Sequence, residues 1–310
     1  MKKRCASLLM LVAVCAGCAA KKHLTADQYF QEATTSFRGD ALSLAVEEYH
    51  ELLDQYPFSP YNEEAELKIA HAQYLNGNYA EAIVALTDFQ RRHPTSPQLP
   101  FVGYYLGMCY AQQMRTLDRD QTATQNALNY FLTVSQQYPD SPFAELGREQ
   151  VARCRESLAQ HEMYIAKFYA GQGKDRAAEI RLLTMASRYG DTDAGAAGLL
   201  RLARLYGHQK QEQNEVLAYQ ALTQLHPRGP EGVAAHRALD RLANVDPPSG
   251  DPLDLLLAAN GRHRSTGTFE TVQVPGLDTE RAGRRPSAAA PAMVPPMDPF
   301  GRGRGNGFPY

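Results

Sequence analysis

The 310-residue sequence contains no tryptophan, and its charges nearly cancel: 32 basic and 34 acidic residues leave a net charge of -2. Without a basic excess there is no electrostatic footprint for nucleic acid, and no nucleic-acid partner is expected. Past Gly17 no uninterrupted apolar run approaches the roughly 20 residues that a bilayer-spanning helix needs. Membrane contact must therefore come from the amino end. Catalytic signatures are also missing. His161-Glu162 is followed by Met163, Tyr164 and Ile165, so the second ligand of a zinc-binding His-Glu-x-x-His helix is absent. Gly171-Gln172-Gly173-Lys174-Asp175 fails as a phosphate loop at two places. Phe168 stands where the first glycine belongs, and Asp175 where a hydroxyl residue should follow the lysine. No nucleophile elbow occurs, and no Cys-x-x-Cys pair lies beyond Cys18. These gaps point away from an enzyme, and no catalytic residue, metal ligand or cofactor is assigned. His161 reads as a packing or hydrogen-bonding group.

The amino end does carry a signal. Lys2, Lys3 and Arg4 form a positive segment, Leu8 to Val14 a short apolar one, and Cys15-Ala16-Gly17-Cys18 follows. This is the layout of a secretory signal, too short for a transmembrane helix. Its end resembles a bacterial lipobox, with small residues directly before a cysteine. That resemblance implies cleavage before Cys18, an acyl lipid on its thiol as the anchor, and, because Ala19 is not Asp, sorting to the outer membrane. Two or more acyl chains, at about 0.8 kcal/mol per buried CH₂, make anchoring effectively permanent. Cleavage removes Cys5 and Cys15. Cys109 and Cys154 remain, fit no metal spacing, and read as two separate buried thiols, with pairing left open.

The middle of the chain repeats. A quadruplet with steps of four, three and five runs Ala45, Tyr49, Leu52, Pro57, then Ala82, Leu86, Phe89, Pro94, then Ala127, Phe131, Val134, Pro139. Ala178, Leu182, Met185 and Gly190 follow with another helix stop, and Glu215, Tyr219, Leu222 and Pro227 form a weaker fifth copy. Positions four and three apart share one helix face, and proline ends the helix beyond them. Each copy is therefore the second helix of a hairpin. The first helix of the second copy is predicted over about 61 to 76, closing in Asn76-Gly77-Asn78-Tyr79, the order of a tetratricopeptide repeat. Residues 142 to 171 contain no internal proline after Pro142 and predict one long helix that couples two groups of repeats. The expected fold is all-α, a right-handed superhelix of about five such hairpins with a disordered C-terminal tail. Its first helices line a concave surface suited to an extended peptide. The expected organisation is a signal over 1–17, a linker over 18–24, N-terminal repeats over 25–140 and C-terminal repeats over 141–244. The tail over 245–310 holds 10 of the 19 prolines and 9 of the 23 glycines. There only Leu253 to Ala259 could form a short helix. Gly301-Arg302-Gly303-Arg304-Gly305 reads as a solvated tail or a tether.

Three stretches resemble the BamD family, lipoproteins of the bacterial β-barrel assembly machine. The first is Tyr56-Pro57-Phe58-Ser59-Pro60-Tyr61 with the helix running to Tyr74. The second is Arg119-Asp120 with the later Tyr138-Pro139-Asp140-Ser141. The third is His161 to Tyr169 with Gly173, Arg181 and Arg188-Tyr189. The resemblance covers about residues 18 to 226. It implies a non-enzymatic scaffold, lipid-anchored in the outer membrane and facing the periplasm. Its N-terminal repeats would receive targeting segments of unfolded outer-membrane proteins. Its C-terminal repeats would dock a POTRA domain of a BamA-like barrel subunit, beside other assembly lipoproteins. Arg181 stands at the family's docking position, and Arg188 is its companion candidate. Targeting segments are extended and end in an aromatic, so Tyr29, Tyr61, Tyr74, Tyr104 and Tyr105 are the groove candidates: each offers an apolar face and a hydroxyl. The competing reading of each tyrosine is packing between helices. The competing functions are another periplasmic scaffold (a secretin pilotin or a peptidoglycan-coordinating protein) and an enzyme bearing repeats.

Overall fold

A computed structural model of the chain describes residues 24–264. Cys18, the signal segment and the residues from 265 onward, with the glycine-arginine stretch, lie outside the described residues. Within them the regular structure is twelve α-helices and no strand. They form two compact units that divide between Ala72 and Gln73.

The first unit holds α1 (Ala26–Arg38), α2 (Leu42–Gln55) and most of α3 (Asn62–Leu75). Thr25 starts α1 with a capping box: its hydroxyl accepts from the Gln28 N–H, and the Gln28 side chain accepts from the Thr25 N–H. α1 and α2 pack as a hairpin. The quadruplet residues Ala45, Tyr49 and Leu52 are wholly buried between them. Tyr49 brings a polar hydroxyl into this core, and Thr34 Oγ1 satisfies it at 2.9 Å. Pro57 follows the end of α2, as its fixed φ requires.

The second unit continues with α4 (Tyr79–Arg92), α5 (Leu99–Ala111), α6 (Thr122–Gln137) and α7 (Pro142–Gly171). Then come α8 (Asp175–Tyr189), α9 (Asp193–His208), α10 (Glu212–Leu225), α11 (Pro230–Arg241) and α12 (Pro252–Ala259). From α4 to α11 each helix packs on the next, and α5 touches α7, α7 touches α9, and α9 touches α11. That is the neighbour pattern of stacked helical hairpins. The turn before α4 depends on Gly77, whose φ of 79° suits a residue without Cβ. The three helical members of the quadruplets in α4 and α6 are fully buried, as are Leu182, Met185 and Leu222 of the later copies to within 1 %. Their bulky members meet glycine on the partner helix. A Cβ on Gly107 of α5 would lie 2.6 Å from the Phe131 ring, and one on Gly198 of α9 2.7 Å from Met185 Sδ. The hairpins therefore close tightly because one side is missing a side chain.

The long helix runs over Pro142–Gly171, as the proline-free stretch implies. Ser141 caps its start, and Gly173, at φ 68°, follows its end. Gly147 near its start faces Phe131 and Ser135 of α6. Near its other end Glu162 meets Arg181 of α8. One rigid element thus serves two successive hairpins. Cys109 and Cys154 are buried and free.

The described fold extends past residue 244, where the repeats were expected to end. Asp251 accepts from the N–H groups of Leu253 and Asp254, each at 3.0 Å, and Pro252 opens α12. Leu253, Leu256 and Leu257 are buried, and α12 packs on α10 and α8. Proline is harmless at this first helical position, so the short helix that Leu253 to Ala259 could form is present and, beyond that expectation, docks.

Candidate partner-binding site

In the first unit, Tyr29 is only 8 % exposed, and its ring lies 6.2 Å from that of Tyr56. It is a packing residue. Tyr61 is half-buried and stacks on Phe30 at 4.9 Å. Its hydroxyl donates to Asp27 Oδ1 at 3.1 Å, and this bond to a carboxylate raises its pKa. Tyr61 keeps an open edge, but its hydroxyl is already engaged.

In the second unit Tyr74, Tyr104 and Tyr105 come together. Tyr74 meets Tyr105 edge-on at 5.0 Å and lies 5.8 Å from Tyr79. Tyr104 stands 5.5 Å from Tyr105 at right angles, and Phe101 is 4.4 Å from Tyr105. Phe131 and Phe143 close the cluster behind Tyr104, at 5.7 and 5.5 Å. Edge-to-face geometry satisfies the ring quadrupoles and fixes the rings in place. All three candidates remain half-buried. Burial pushes the Tyr74 hydroxyl up to about 12 and raises that of Tyr104. Phe101 and Phe143 are absent from the sequence reading. No local spacing connects them, because the stacking of α5 and α7 brings them together.

Arg181 projects from α8 with 39 % of its side chain exposed, and Nη1 bonds Glu162 Oε2 of α7 at 3.3 Å, which is 16 % exposed. Ile180, next to it, is exposed. The guanidinium is oriented but keeps free donors toward solvent. Arg188 is exposed, and its carbonyl accepts from Arg155 Nη2 at 3.0 Å. Arg155 also pairs with Asp191.

A groove of about 890 Å³ opens between α7, α8 and α9. Met163, Leu182, Leu200 and Leu205 give it an apolar floor, and its polar lining is mixed: Lys167, Arg201, Arg204 and His208 stand with Glu156, Asp175 and Asp193. Arg201, Arg204 and His208 are spaced i, i+3, i+7 and share one face of α9. That spacing is legible in the sequence, although those residues were not among the candidates. Such a groove could take an extended segment with apolar side chains along its floor. Among the described residues no group of His, Cys, Asp and Glu could hold a metal ion. No helix among them is long and apolar enough to cross a membrane.

Stacked helical hairpins with an apolar-floored groove define a tetratricopeptide-like, all-α protein. The chain belongs to the YfiO family, described as outer membrane lipoproteins, whose model matches residues 22–225. It is similar to proteins named outer membrane protein assembly factor BamD. The one from Caulobacter vibrioides is 31 % identical over 200 residues, covering 63 % of this chain and 66 % of that protein, just under two thirds of its length. The Vibrio cholerae protein is 27 % identical over 213 residues, 64 % of this chain and 88 % of its own. That of Pasteurella multocida is 27 % identical over 217 residues, 67 % and 83 % respectively.

Proposed function

We propose that this chain is an outer-membrane protein assembly factor, anchored by an acyl lipid on Cys18, facing the periplasm and acting as a non-enzymatic scaffold. The family match across the whole hairpin array, residues 22–225, carries the reading. Two kinds of partner follow. One is a BamA-like barrel subunit that docks through a POTRA domain, with other assembly lipoproteins beside it. The other is the unfolded outer-membrane protein segment to be inserted.

The geometry supports a role for each region. Arg181 has already lost part of its rotamer freedom to Glu162, so ordering it against a partner carboxylate costs less entropy. The Tyr74–Tyr104–Tyr105 cluster offers rigid, half-exposed rings to a segment that ends in an aromatic. The groove between α7 and α9 offers charged groups of both signs around an apolar floor.

The test is a tagged pull-down from gently solubilised outer membranes, with mass spectrometry of the partners. The expected partner is a large barrel protein carrying POTRA domains. Arg181→Glu should reduce its recovery at least tenfold, and so should Arg181→Ala, which sets no second carboxylate against Glu162 and should leave the melting temperature within a few degrees, because an exposed ion pair contributes only about 0–1 kcal/mol to stability. Recovery of a secretin or of cell-wall proteins instead would leave a scaffold and remove the assembly role.

A further inference from the structure

Six of the seven large exposed hydrophobic residues among the described residues (Leu44, Val84, Tyr164, Phe168, Ile180, Val233) lie on helices and are 39–63 % exposed. Phe58 differs: it sits in the loop between α2 and α3 and is 98 % exposed. The loop is not slack. Pro57 and Pro60 flank the ring and fix φ on either side. The Ser59 N–H and Asn62 Nδ2 both donate to the Tyr56 carbonyl at 3.0 Å, and the Tyr61 N–H donates to Ser59 Oγ at 3.2 Å. The fold therefore holds a whole phenyl ring out in water.

The base of this loop is stapled to the point where the described chain begins. Tyr56 Oη donates to the Leu24 carbonyl at 2.7 Å, and the Tyr56 ring packs on Tyr29 of α1. Leu24 follows Cys18 by six residues (24 − 18 = 6), which span at most about 20 Å. The headgroup layer of a bilayer is itself about 5–8 Å deep. Lys21 and Lys22 lie in that short linker, which has no acidic residue, and suit anionic headgroups.

We propose that Phe58 is a second membrane contact, its ring buried in the lipid interface beside the anchor and fixing the orientation of the first unit on the bilayer. The proposal rests on Cys18 carrying the lipid. Phe, like Trp and Leu, is a residue that interfacial segments bury at the boundary between headgroups and acyl chains, and here the loop presents it already ordered.

The chain has no tryptophan, so Phe58→Trp introduces a single reporter. The full-length lipidated variant is reconstituted into vesicles of phosphatidylethanolamine and phosphatidylglycerol with brominated acyl chains. Leu44→Trp is the comparison, at the other end of the 14-residue α2, about 20 Å away. The expected result is a blue shift and bromine quenching for Phe58→Trp, and water-like, unquenched emission for Leu44→Trp. If the protein floats with the vesicles but Phe58→Trp emits as in water, the anchor stands and the loop contact is overturned. A shift that appears only when the protein partners are added would give Phe58 a protein neighbour and also overturn it. Failure to float would remove the anchor, and the loop contact with it.

Discussion

A thiol removed from water resists ionisation, and this chain has two such thiols. Burial pushes Cys109 and Cys154 up to about 12 from an ordinary 9.0. The thiolate is the form that reacts, so at pH 8 the reactive fraction is about a thousandfold below that of an exposed cysteine. We expect iodoacetamide to leave both unmodified in the native protein and to label both once urea unfolds it. Rapid native labelling in a mass spectrum would contradict their burial. The same shifts act on stability. A folded pKa above the unfolded one contributes stability that is complete below the unfolded value and is lost as pH rises through the folded one. Tyr74 and Tyr130, pushed up to about 12 from 10.0 by burial, act in the same direction as the thiols. The urea midpoint should therefore fall between about pH 9 and 12, as the unfolding free energy drops by an amount on the order of 2 kcal/mol per fully buried group. A midpoint that stays flat over that window would show that these groups ionise without unfolding.

Between helices, stability depends on shape. Gly107→Ala removes a helix-propensity penalty of about 1 kcal/mol but places a Cβ 2.6 Å from the Phe131 ring. Overpacking of this kind costs about 1–3 kcal/mol, so we expect the melting temperature to drop, read by circular dichroism. A rise would mean that Phe131 moves aside freely. Leu256→Ala tests the other end of the second unit. Leu256 is wholly buried where α12 packs on α10 and α8. Its truncation should cost about 2–5 kcal/mol, whereas a detached tail would show no change. These two sites also mark what the sequence could and could not disclose. The Ala127, Phe131, Val134 spacing announces a buried helix face, and the lack of internal proline announces the long α7, since both signals are local and periodic. Nothing local says that Phe131 meets Gly107 or that α12 finds α10, because those contacts join residues far apart in the chain. The site divides in the same way. The tyrosines were visible as types, but whether Tyr29 packs inside while Tyr105 faces an open cluster depends on how the helices stack.

At the scale of the whole molecule, a hairpin array cannot hold itself at a membrane. Its helices are amphipathic toward one another, and among the described residues none is long and apolar enough to cross a bilayer. The proposed attachment is the amino end. Burying one phenyl ring contributes about 1.5–3 kcal/mol, which corresponds only to weak, rapidly reversible binding, so Phe58 could orient the protein but not retain it. Acyl chains on Cys18, as proposed, would contribute about 0.8 kcal/mol per buried CH₂, and two or more would make retention effectively permanent. The two contributions differ enough to be separated in one experiment. Cys18→Ala, with Phe58 intact and no protein partner present, should appear in the soluble periplasmic fraction and should not float with vesicles. In cells holding the partner, part of the same variant should remain with the outer membrane through its docking surface, and Arg181→Glu should release that part. If the Cys18→Ala protein still floats with protein-free vesicles, the acyl chain is not the anchor, and the membrane contact must be sought elsewhere in the chain.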